Sequence, residues 1–241
     1  MIPKEHRWDL IDHPGLKVLL PFFRSYLQKG LAEIGSENKT FPASAAEFYA
    51  ASVLDRVSEL DNALGALRIT MNFVTDLGRE PKPDPEIYRY HYENFVLRVI
   101  GFVDRAHRLV GASFLMPRKK VEGSRGNLYV RQKVESEHAQ VHFALLAVSE
   151  AVDSYKGPRN ELIHSTAFTS RELGLLTSVK HFDIDTNGMD IDELARHHFS
   201  KGGIEIALTI AQLVKTLKAL LEELAPYFES IHQHVQIQAA Q

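Results

Sequence analysis

Residues 43–77 read ASAAEFYAASVLDRVSELDNALGALRITMNFVTDL. Within this stretch Tyr49, Val53, Val57, Leu60, Leu64, Leu67, Met71 and Val74 recur at three- and four-residue spacing, which places them on one face of a long helix. Pro42 just ahead suits a first helical turn, where a missing N–H leaves no bond unmade. Pro81, Pro83 and Pro85 then break the chain. The same period predicts a second helix from about Glu86 to Met116, with Tyr88, Tyr92, Phe95, Val99, Phe102, Ala106 and Leu109 as its core stripe and Pro117 as its stop. A third runs from Val134 to Tyr155 on Val134, Val141, Leu145, Val148 and Val152. Gly157 and Pro158 read as a stop and restart: glycine as a left-handed cap, proline as the first turn of a helix covering Arg159 to about Leu176. A last strong helix spans Ile204 to Leu224, and a weaker amphipathic piece spans Leu16 to Ile34. Only Asn127 to Gln132 has strand character. These segments predict an all-α antiparallel helical bundle forming a single domain over residues 1–241.

The composition narrows the function classes. Hydrophobic residues make up 44% and charged residues 24% of the 241, an ordinary globular balance that excludes a disordered or low-complexity chain. No apolar run approaches the roughly 20 residues that span a bilayer, so no membrane span is expected. The start, MIPKEHRWDLIDHPG, lacks the apolar core of a secretory signal, and a cytoplasmic location is the expectation. Zero cysteines remove disulfides, thiolate zinc sites and cysteine nucleophiles. With 28 basic and 31 acidic residues the net charge is −3, which neither demands a nucleic-acid partner nor forbids a local basic groove.

The segment with chemical character is Arg159-Asn160-Glu161-Leu162-Ile163-His164. Spacing alone says little, because Arg7–His13 and Arg131–His138 are also arginine–histidine pairs a few residues apart. Context separates Arg159–His164: it opens a helix directly after Gly-Pro, with two long amphipathic helices before it. Asn160 and His164 are four apart and share a face, while Arg159 stands about 140° around the helix from His164. One arginine and one histidine then flank a groove that needs a partner surface to close.

The run Tyr155-Lys156-Gly157-Pro158-Arg159-Asn160-Glu161-Leu162-Ile163-His164 resembles the signature of the HEPN superfamily, whose members carry an Arg-polar-x-x-x-His motif at this place in an all-α bundle. Tyr90-His91-Tyr92-Glu93-Asn94-Phe95 through Asp104-Arg105 resembles the aromatic helix preceding the motif in some prokaryotic HEPN families. The resemblance implies a HEPN-like core over about residues 43–225, with an N-terminal extension at 1–42 and a C-terminal tail at 226–241. It also implies metal-independent endoribonuclease activity, in which the ribose 2′-OH attacks its own phosphodiester to leave 2′,3′-cyclic phosphate and 5′-OH ends. Arg159, Asn160 and His164 would be the catalytic residues, no cofactor would be needed, and RNA would be the substrate. A homodimer would set two motifs at a shared cleft. A toxin–antitoxin or phage-defence setting, with an antitoxin-like protein partner, is also implied. The alternative is a catalytically inactive HEPN-like module that binds a nucleotide, RNA or a protein.

Three further features bear on the site. His91, Asn94, Arg98, Arg105 and Arg108 follow helical spacing opposite the aromatic stripe, and Arg118-Lys119-Lys120 with Arg125, Arg131 and Lys133 make the following connection basic. An RNA backbone needs such cations, so Arg98, Arg105, Arg118, Lys119, Lys120 and Arg125 are the candidate RNA contacts. Glu93 and Asp104 lie nearer apolar neighbours, and each is a candidate buried partner for an arginine such as Arg159. Asp183-Ile184-Asp185-Thr186-Asn187-Gly188 opens like a calcium loop, but Leu194 stands where the twelfth-position carboxylate belongs, with Glu193 one place early. Glu135–His138 and Glu229–His232 have the Glu-x-x-His spacing of metal bundles without obvious bridging partners, so no metal is assigned.

Overall fold

The computed structural model describes residues 9–34, 40–164 and 170–239, the side chains of residues 232 and 234–239 excepted. The chain is an all-α helical bundle, and among the described residues there is no strand. Its helices are α1 (Leu20–Ala32), α2 (Ala45–Leu77), α3 (Pro85–Val99), α4 (Gly101–Ser113), α5 (Arg118–Val121), α6 (Gly126–Glu137), α7 (Ala139–Glu150), α8 (Lys156–His164), α9 (Arg171–His181) and α10 (Ile191–Ala239). The predicted apolar stripes of the long helices are buried almost residue for residue. Met71, half-buried, is the exception on α2.

Several expected boundaries move. The strand candidate Asn127–Gln132 lies inside α6, where Val130 and Val134, one turn apart, are both buried. The third predicted helix is interrupted at His138, whose backbone leaves the helical region at φ −142°. There the imidazole stacks on Phe114 at 4.3 Å and meets the Tyr227 hydroxyl at 3.2 Å. Gly157 is no left-handed cap. It lies within α8 as that helix's second residue, and positive φ occurs at Gly188 but not there. Arg159 to Leu176 is not one continuous helix, because Ser170 is extended (ψ 161°) and caps α9; residues 165–169 lie outside the described set. The last helix begins at Ile191 rather than Ile204 and continues through Pro226.

The chain divides into two compact units: residues 1–62, 103–149 and 214–241 form the first, and residues 63–102 and 150–213 form the second. In the first unit, α2 opens with a reciprocal cap. Ser44 Oγ accepts from the Glu47 amide, and Glu47 Oε2 accepts from the Ser44 amide at 2.7 Å. Glu47 also holds Lys29 at 2.8 Å and Ser25 at 2.7 Å on α1, and this cradle, Lys29 foremost, lowers its carboxyl to about 2. Farther along α2, Asp61 is only 2% exposed and accepts the backbone N–H groups of Asp9, Leu10 and Ile11 at 2.9–3.0 Å. Burial nevertheless pushes the Asp61 carboxyl up.

In the second unit, α10 passes through Gly202 and Gly203 without breaking. A Cβ on Gly202 would collide with the Tyr88 hydroxyl, so the missing side chain lets α3 press against α10. The Tyr88 ring stacks flat on Phe199 at 4.2 Å beside this contact. Each helix-interior glycine costs about 1 kcal/mol relative to alanine, and the aromatic packing offsets it.

Two stability outcomes follow from these contacts. Asp61→Ala strands three partly or fully buried N–H donors and should lower unfolding free energy by about 2–3 kcal/mol, read by denaturant titration. Burial also holds the His107 and His198 imidazoles below 6.5. As pH falls through 6.5 the unfolded chain binds protons that these native sites refuse, so native stability declines below that pH. The melting temperature should therefore drop between about pH 7.5 and pH 5.5, and His107→Gln should flatten part of the slope. A melting temperature that rises on acidification contradicts this account.

Candidate functional site

The second unit carries the Arg159–His164 segment on α8, a nine-residue helix with no fully buried residue. Pro158 occupies its first turn, where the absent donor would have had no intrahelical partner. A short 3-10 turn, Asp153–Tyr155, leads into it. Tyr155 is the residue that pins this entry. Its ring meets Phe95 of α3 edge-on at 5.1 Å, and its hydroxyl donates to Glu205 Oε1 of α10 at 2.8 Å. Thr209 Oγ1, one turn farther along α10, lies 2.8 Å from the same hydroxyl. Tyr92 of α3 donates to the same carboxylate oxygen at 2.8 Å. Burial, reinforced by the Glu205 charge, pushes both phenols well above their ordinary range, so they remain donors. Three elements therefore converge on one carboxylate at the root of the motif helix.

Along α8 the side chains face outward. Arg159 is half-buried, and its guanidinium donates to Asn160 Oδ1 at 3.1 Å. Asn160 thus orients the arginine rather than the imidazole. His164 is exposed and, among the described residues, has no hydrogen-bond partner. Arg159 and His164 are five positions apart along the helix, so one chain presents them on different flanks, about 140° apart. A planar guanidinium can hold a phosphate with two parallel hydrogen bonds.

The other predicted residues are distributed as follows. Glu93 lies half-buried on α3, which packs beside α8 in the same unit. Asp104 belongs to the first unit and is exposed rather than buried, accepting a hydrogen bond from Asn127 at 2.6 Å. Its partner stands 23 residues farther along the chain, on α6 of the same unit. Arg98 lies in the second unit and is tied to Asn94; Arg105, Arg118, Lys119, Lys120 and Arg125 lie in the first. Arg118 is paired with Glu122 at 2.8 Å, and Glu122 also takes Arg56, which reduces the charge of the basic connection. Lys120 sits 5.5 Å above the Tyr129 ring, while Lys119 and Arg125 are exposed. His91 is not on a solvated basic row: it stacks on Phe73 at 4.5 Å.

The calcium-like loop uses its carboxylates for structure. Asp185 accepts from the Asn187 amide, Asp190 caps α10 through the Glu193 amide, and Asp192 pairs with Lys180 at 2.7 Å. Among the described residues no three histidine or acidic side chains cluster as metal ligands. No helix among them is long and apolar enough to cross a membrane.

The anchoring set Tyr92, Tyr155, Glu205 and Thr209 was missed by spacing arguments. One signal was present: Glu205 and Thr209 stand four apart on the flank of the last strong apolar helix, and Tyr155 directly precedes the motif segment.

The profile of the HEPN_Cthe2314-like HEPN family matches residues 37–236, most of the chain, and the protein belongs to that family. No curated protein and no solved structure matches it.

The anchor has a measurable consequence. Tyr155→Phe keeps the ring against Phe95 but removes the hydroxyl from Glu205 and Thr209. Stability should fall by about 1 kcal/mol, and amide exchange across residues 156–164 should accelerate more than elsewhere in the second unit. Unchanged exchange in α8 contradicts the anchoring role.

Proposed function

We propose that this HEPN-family chain is a metal-independent endoribonuclease, with His164 as general base and Arg159 as the clamp on the scissile phosphate. The observation that carries this reading is the placement of a half-buried arginine, bonded to Asn160, and an exposed histidine on two flanks of a helix whose entry is pinned. His164 takes the proton of a ribose 2′-OH, and the 2′-oxygen bonds to phosphorus as the bond to the 5′-oxygen breaks. Negative charge gathers on the non-bridging oxygens, where the guanidinium stabilises it. The departing 5′-oxygen is protonated by a second copy's His164, so products carry 2′,3′-cyclic phosphate and 5′-OH ends. Two copies of α8 at one cleft supply the pair of imidazoles and guanidiniums that one chain presents on separate flanks. Glu93, on the neighbouring helix, is the supporting carboxylate of this reading, and a toxin–antitoxin or phage-defence setting is its biological extension.

The test is structured RNA incubated with purified protein in EDTA, beside His164→Ala. Cleavage by the wild type that survives chelation and is lost in the variant is the expected result. Arg159→Lys keeps the charge but loses the planar fork, and should lose most of the activity. Equal cleavage by wild type and His164→Ala rejects the assignment. Absent cleavage favours a module that binds a nucleotide, RNA or a protein.

A further inference from the structure

The second unit leaves an apolar face uncovered along α9 and the first half of α10. Leu175, Phe182, Met189, Leu194, Ile204 and Leu208 are each between 49% and 68% exposed. Leu175, Leu176, Val179, Met189, Ile191 and Leu194 line a cleft of about 410 Å³ on this face. Along α10 the stripe continues as Leu194, His197, Lys201, Ile204 and Leu208, the alternating three- and four-residue spacing by which one helix seats against another. This stripe lies on the side of α10 away from its buried residues Ala195, Phe199, Ile206 and Ile210.

We propose that this α9–α10 face binds the same face of a second copy of the chain, an inference that rests on the reading of Arg159 and His164 as half of a site. Area, charge and position support a second copy as the occupant. Six large side chains at roughly 100 Å² each expose about 600 Å² of apolar surface, most of the ~800 Å² that each partner contributes to a standard interface. A patch that large is at the upper limit for a face that stays in water. The rim is self-complementary: Glu172 stands on the α9 edge, and His197 and Lys201 stand on the α10 edge. A two-fold that sets α9 of one copy against α10 of the other places each Glu172 beside the second copy's Lys201, and does so twice. Finally, the stripe runs beside the root of the motif helix. Ile204 and Leu208 each immediately precede a residue that holds Tyr155, namely Glu205 and Thr209. Pairing through this stripe brings two α8 helices to one cleft.

Light scattering on the full chain at about 20 µM, with Leu208→Glu and Leu175→Glu as separate variants, tests the surface. Both substitutions fall on exposed positions, so circular dichroism should show the wild-type helix content. The expected result is a wild-type dimer, and variants whose dimer dissociation constant rises at least tenfold, with RNA cleavage falling in step. A wild-type dimer that both variants preserve overturns this surface and leaves the two-motif reading intact. A wild-type monomer overturns the self-pairing and assigns the face to a different protein. A monomeric variant that cleaves RNA at the wild-type rate overturns the link between this face and the site.

Discussion

Placement of the motif helix depends on one carboxylate. Glu205 accepts the hydroxyls of Tyr92 and Tyr155, and so joins α3, the turn before α8, and α10 at a single oxygen. A carboxylate receiving two phenolic donors makes charge-assisted bonds, and here the phenols are buried while Glu205 itself is exposed. The geometry also depends on what α10 lacks three residues earlier. Without a side chain at Gly202, Tyr88 lies against the helix and brings α3 close enough for Tyr92 to reach Glu205. The aromatic stripe of α3 thus does more than fill a core: alternate turns of it set the spacing on which α8 is built.

The first unit is organised by the same kind of economy. Glu47 completes the cap of α2 while tying down α1, and Asp61 takes three consecutive backbone donors of the N-terminal segment. In both cases one carboxylate satisfies several donors, which meets the demand that buried backbone groups be paired without extra elements. The basic connection is treated differently. Glu122 draws in Arg118 and Arg56, so part of the cationic run serves to hold α5 to α2. Exposed pairs of this kind contribute little stability, and the remaining Lys119 and Arg125 keep the local charge positive.

Membership of the HEPN family and the geometry of α8 bear on function at different levels. The family covers the bundle and its helix order. The structure adds the side-chain arrangement: an arginine bonded to its own neighbour, an exposed histidine on the other flank, and a helix with no fully buried residue. That combination suits a site completed from outside. The proposed self-pairing assigns that completion to the exposed apolar stripe of α10 that holds Ile204 and Leu208.

The buried stripes of the long helices were legible in the sequence because helical periodicity is local: a residue's neighbours three and four positions away decide which face it shares. Of the eight stripe positions read from residues 43–77, all but Met71 are buried, and the family signature was readable for the same reason, as a contiguous string. What the string could not carry was anything set by distant approach. The predicted last helix starts at Ile204, just after Gly202 and Gly203, whereas α10 runs through both, and at Gly202 Tyr88, more than a hundred residues earlier, takes the space a side chain would need. Val130 became core only through packing, which made a helix of an apparent strand. Asp104 met Asn127 instead of an arginine, and the basic residues were divided between two units, because each follows its own helix. Tertiary structure alone chose the partners, since which helices touch is decided by the fit of whole faces and not by any one segment's pattern.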